Sequence, residues 1–112
     1  MTEKDILLVI STAPDPATAE RLARELIGKS LAACANIVPA VRSIYLWKGE
    51  VESEQEVLML LKTTTDRLRE LRETLVAAHP YELPEVIALP VADGHHPYLQ
   101  WVAAMSSPPL NP

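Results

Sequence analysis

The residues whose type and placement single them out for metal or acid–base chemistry are His79, His95, His96, Cys34, and the carboxylates Glu82 and Glu85 beside Tyr81. An imidazole at His79 reads in two ways, as a metal ligand or as a cation complementing the carboxyl end of a preceding helix. His95 and His96 are neighbours in sequence, and neighbouring side chains point apart in regular structure. The pair is either a shared site or a solvated turn, and its role stays open. Cys34 has no second cysteine to pair with and reads as a small buried residue. Tyr81, Glu82 and Glu85 lie in a loop stiffened by Pro80 and Pro84, a good place for polar ligand groups. Trp47 is an interface aromatic or a stacking platform. Lys62 could meet a carboxylate of another subunit. The chain contains no phosphate-cradling glycine loop, CxxC, HExxH or GxSxG motif, so binding rather than catalysis is expected.

Composition narrows the class. The 112 residues suffice for one domain, residues 1–112, with its own core. A net charge of −5, with Lys and Arg scattered among carboxylates, argues against nucleic acid, which needs a concentrated basic surface. No apolar run is long enough to span a membrane, and Met1-Thr2-Glu3-Lys4-Asp5 does not read as a signal peptide. The expected location is the cytoplasm.

The elements that must carry these residues follow from hydrophobic periodicity. Ile6–Ile10 is an apolar run of strand length, broken by Ser11-Thr12-Ala13-Pro14. Asp15 and Pro16 open an amphipathic helix with Ala19, Leu22, Ala23, Leu26 and Ile27 on one side, ending near Gly28. Next comes a long hairpin, Ile37–Trp47 and Val51–Lys62, turning at Lys48-Gly49-Glu50, with Gly49 supplying positive φ. Glu52, Glu54 and Glu56 share a face that reads as solvated. Leu68, Leu71, Leu75 and Ala78 make a second helix, stopped by His79-Pro80. Glu85–Val91 is a last strand whose Pro90 suits a sheet edge. Tyr98, Trp101, Val102 and Met105 form a short docking helix, and the tail, residues 106–112, is irregular. This order predicts an α+β fold, a ferredoxin-like βαββαβ antiparallel sheet with both main helices on one face. The opposite face then has no cover within the chain. The hairpin, roughly 36–40 Å long, overreaches any small domain, so self-association is expected.

Five ordered stretches carry a resemblance. Thr12-Ala13-Pro14-Asp15, Leu31 to Pro39 (LAACANIVP), Ser43 to Glu50 (SIYLWKGE), Leu61-Lys62-Thr63 and His79 to Glu85 (HPYELPE) together resemble the CutA family of divalent-cation tolerance proteins. The resemblance implies a homotrimer with the shape of the PII signalling proteins, binding copper or another divalent cation that folding does not require. Some members place a cysteine before Thr-Ala-Pro-Asp and two histidines before Pro-Tyr as proposed copper ligands. Here those positions hold Ser11, Ala78 and His79, leaving His79 as the one metal candidate and implying weak copper binding. The alternative is a PII-like signalling or scaffold trimer that takes an effector or a protein partner in a cleft between subunits, near Trp47, Tyr81 and Glu82.

Overall fold

The computed structural model describes residues 5–108. The elements are β1 (Ile6–Ala13), α1 (Pro16–Gly28), β2 (Cys34–Trp47), β3 (Glu50–Thr64), α2 (Leu68–Ala78), β4 (Ile87–Pro90) and α3 (His96–Met105). A 3₁₀ turn, Thr65–Arg67, leads into α2. The strands form one antiparallel sheet in the order β2-β3-β1-β4, the expected ferredoxin-like arrangement. Both edges suit their sequences. Pro90 sits in edge strand β4, and Pro39 falls at an irregularity between Val38 and Val41 in edge strand β2, so neither removes an interior ladder bond.

Local chemistry sets the element ends. The Asp15 carboxylate accepts the Thr18 N–H at 2.7 Å, capping α1, and this backbone bond chiefly holds its pKa below the usual value. At the other end Arg67 donates to the carbonyls of Ser30 and Lys29, at 3.1 and 3.3 Å, and so ties α2 to the end of α1. Leu22 and Leu26 of α1 and Leu71 and Leu75 of α2 pack on Val9, Val57, Met59 and Leu61 of the sheet. Each such burial contributes about 1.5–3 kcal/mol.

Several expectations shift. Ser11-Thr12-Ala13 does not break β1 but extends it, pairing with Met59, Leu58 and Val57. The strand ends instead at Pro14, which has no N–H to offer a ladder. The hairpin strands are longer than read, and the turn is two residues rather than three. Trp47 pairs with Glu50, while Lys48 and Gly49 take φ of 50° and 83°. Positive φ at both positions gives a turn matching the strand twist, and Lys48 adopts it without glycine's freedom. The last strand contracts to Ile87–Pro90. Of the irregular tail, residues 106–108 form neither helix nor strand, and residues 109–112 lie outside the described residues.

The second sheet face is not bare. Val102 of α3 is buried with Ile6 and Ala33, joined by Val91, Leu99 and Ala103. Of the four residues expected to dock this helix, Val102 is buried, Tyr98 is exposed but meets Lys62 of β3, and Trp101 and Met105 are exposed. Val38, Ile87 and Leu89 stay exposed on the sheet. Among the described residues no helix is long and apolar enough to cross a membrane.

Candidate functional site

β1 stops at Ala13, opposite Val57, so β2 and β3 run on past the sheet as a two-stranded ribbon. Across the ribbon Glu56 pairs with Val41, Glu54 with Ser43 and Glu52 with Tyr45. Cross-strand partners share a face, so the alternation that reads as a solvated row instead lines up carboxylates beside Tyr45 and Trp47. The segment between α2 and β4, residues 79–86, crosses the end of β1 and supplies the other wall. Ribbon and loop enclose an open cleft of about 740 Å³. Trp47, Tyr81 and Glu82, expected near a cleft between subunits, all line this cleft within one chain.

The cleft is strongly acidic. Glu52, Glu54, Glu56, Glu82 and Glu85 line it, with no Lys, Arg or His lining it among the described residues. Glu56 is only 8% exposed and accepts the Tyr81 phenol at 2.6 Å. Burial, followed by this bond and the Glu56 charge, pushes the Tyr81 phenol well above its ordinary value. Burial and then Glu56 raise the Glu85 carboxyl. Tyr45 is also raised, by desolvation and then by Glu54, Glu56 and Glu52. All three groups are shifted towards their protonated forms, by burial first and by neighbouring carboxylates second. Such a cleft attracts cations.

His79 lies at the root of this wall and is 8% exposed. Its Nδ1 accepts the Tyr81 backbone N–H at 3.1 Å, and its Nε2 lies 2.7 Å from the Thr12 carbonyl. Both ring nitrogens are thus engaged inside the fold, and ligation would require breaking one of these bonds. Thr12 lies beside Ser11, so the chain does bring Ser11, Ala78 and His79 to one end of the sheet. The Ser11 Oγ is buried without a hydrogen-bond partner among the described residues, and Ala78 packs against the main core.

The other candidates lie elsewhere. Cys34 pairs with Lys62, opposite Leu8, towards the far end of the sheet from Thr12 and His79. Lys62 donates to the Tyr98 hydroxyl at 3.1 Å and lies over its ring. His95 precedes α3 and its carbonyl accepts from Tyr98 and Leu99, while His96 is the helix's first residue. Among the described residues no three His, Cys, Asp or Glu side chains converge closely enough to hold a metal ion.

Known proteins share this architecture. A CutA1 structure from Oryza sativa superposes with a TM-score of 0.90 at 40% identity, covering 94% of this chain and 96% of its own. The divalent-cation tolerance protein CutA of Thermus thermophilus is 47% identical over 95 residues, covering 85% of this chain and 92% of that protein. Its namesake in Escherichia coli is 46% identical over 98 residues, covering 88% of each. The sequence profile of the CutA1 divalent ion tolerance protein family matches residues 7–105, and the chain belongs to that family.

Proposed function

We propose that this protein works in the cytoplasm as a homotrimer that meets divalent cations, copper among them, with low affinity at the acidic cleft. One observation carries the reading: five carboxylates and two phenols line a single concavity that has no basic lining residue among the described residues. The field recruits cations, but the donors present do not make a tight site. Carboxylates alone lack the thiolate and imidazole that favour copper, and no three ligating groups converge within the described chain. Cations therefore bind loosely or share carboxylates from two copies, and folding does not depend on them.

Assembly has its own support. Ile44, Leu46 and Val51 at the ribbon tip are 68%, 71% and 75% exposed, and Val38, Ile87 and Leu89 add to the uncovered sheet face. Apolar exposure on this scale marks an association surface. The number three rests on the family resemblance.

A second reading has an observation behind it. The cleft is the size of a small-molecule site and has Tyr45, Trp47 and Tyr81 in its lining, so a small effector could occupy it in a PII-like signalling trimer. Melting the metal-free protein with Cu²⁺, Zn²⁺, Mn²⁺ or nucleotides separates the two readings. Stabilisation by metals alone supports the first and stabilisation by a metabolite alone the second. Tight copper binding that persists in Glu54→Gln/Glu82→Gln would place the metal elsewhere, with His95 and His96 tested next. Folded monomer at micromolar concentration in sedimentation equilibrium would refute assembly.

A further inference from the structure

We propose that His79 is a positioning residue for the cleft rather than a ligand in it. The inference rests on the cleft being the cation site and adds how one of its walls, a loop with no regular structure, is held in place. The tautomer follows from the partners. Tyr81 N–H can only donate, so Nδ1 must carry a lone pair, which leaves the ring proton on Nε2, aimed at the Thr12 carbonyl. Both bonds are internal, the ring is nearly buried, and it packs against Tyr81 with ring centroids 4.7 Å apart.

These contacts form a chain across the root of the ribbon. The end of β1 offers the Thr12 carbonyl, His79 bridges it to the Tyr81 backbone, and the Tyr81 phenol then reaches Glu56 on β3. Glu56 is the first residue of β3 beyond the ladder with β1. The strap thus fixes the loop carrying Glu82 and Glu85 to the point where the ribbon leaves the sheet, and so sets the spacing of the two acidic walls. A side chain that holds its neighbours in place through both nitrogens has none left for a metal. Its replacement should weaken cation binding indirectly, as removal of supporting groups around metal sites typically does by about 10–100-fold.

The test uses full-length protein labelled with ¹⁵N in its histidines and ¹³C in its glutamates, titrated with Zn²⁺, a diamagnetic probe. The expected result is that the metal-free protein shows the Nε2-protonated tautomer for His79. Both His79 ring nitrogens should keep their shifts at saturating Zn²⁺ while the Glu82 and Glu85 carboxylates move. His79→Ala should lose the slow exchange of the Tyr81 amide and about tenfold in Zn²⁺ affinity, whereas His79→Asn, which keeps an acceptor for that amide, should recover most of both. A large shift at either His79 nitrogen on adding Zn²⁺, or an Nδ1-protonated ring, overturns the proposal even if the variants fail to fold. Absence of any Zn²⁺ response defeats the cation reading instead. The strap is then judged by the tautomer and by whether Tyr81 amide protection falls in His79→Ala.

Discussion

Replacing Tyr81 with phenylalanine removes one oxygen and leaves the ring, its contact with His79 and its backbone bond in place. The bond lost is the 2.6 Å contact from the phenol to Glu56, a side chain only 8% exposed. Hydrogen bonds to carboxylates contribute about 1.5–3 kcal/mol, and a stranded acceptor adds to the loss. Tyr81 is half-buried, so solvent competes for the bond and the lower part of that range applies, about 1.5–2 kcal/mol. For a domain of 112 residues each kcal/mol corresponds to roughly 4 °C, giving a fall in Tm of about 6–8 °C. Calorimetric melting of wild type, Tyr81→Phe, Glu56→Met and the double variant isolates the pair, with an expected coupling of at least about 1 kcal/mol. The pH dependence supplies a sign. The phenol's folded pKa lies above its ordinary 10.0. The native state therefore holds that proton more tightly, and the bond's stabilisation is complete below 10 and is lost as pH rises further. The advantage of wild type over Tyr81→Phe should be constant near neutrality and shrink in alkali. A coupling below about 0.5 kcal/mol, or a gap that widens in alkali, would show that the phenol does not secure the loop to β3.

Ser11→Ala removes a buried hydroxyl without a partner and should stabilise the fold by about 1 kcal/mol, read as a higher urea midpoint at unchanged slope. Trp47→Ala should weaken assembly by about 2 kcal/mol; unchanged subunit exchange would show that the ring contributes nothing at an interface. Glu85→Gln should raise Tm near neutral pH. The raised carboxyl destabilises the fold as pH climbs past the ordinary 4.5 and through its folded value, so the gain should vanish in acid below 4.5. A gain that persists at about pH 3, or a lower Tm at neutrality, would contradict the assignment of burial and Glu56 as the causes.

Much of the fold is legible in the chain because its signals are local. Leu22, Leu26, Leu71 and Leu75 recur at helical spacing, Asp15-Pro16 opens a helix through the carboxylate beside its own backbone, and Pro90 tolerates only an edge. Those elements in that order leave few ways to build a sheet. Trp47, Tyr81 and Glu82, expected near a cleft between subunits, line one concavity of the single chain. Much of what the sequence leaves undecided depends on partners distant in the chain. Ser11-Thr12-Ala13 looks like a break by composition and becomes strand because Val57, Leu58 and Met59 offer it a ladder. Glu56 belongs by alternation to a solvated row, yet it is buried because Tyr81 reaches it from across the sheet end. His79 is a ligand or a cap on sequence grounds, since an imidazole's role is set by the groups its two nitrogens face. Periodicity and capping act over a few residues and are written in the chain, whereas burial of a charge and the distant partner of a ring, here the Thr12 carbonyl facing His79, are decided only when separate segments meet.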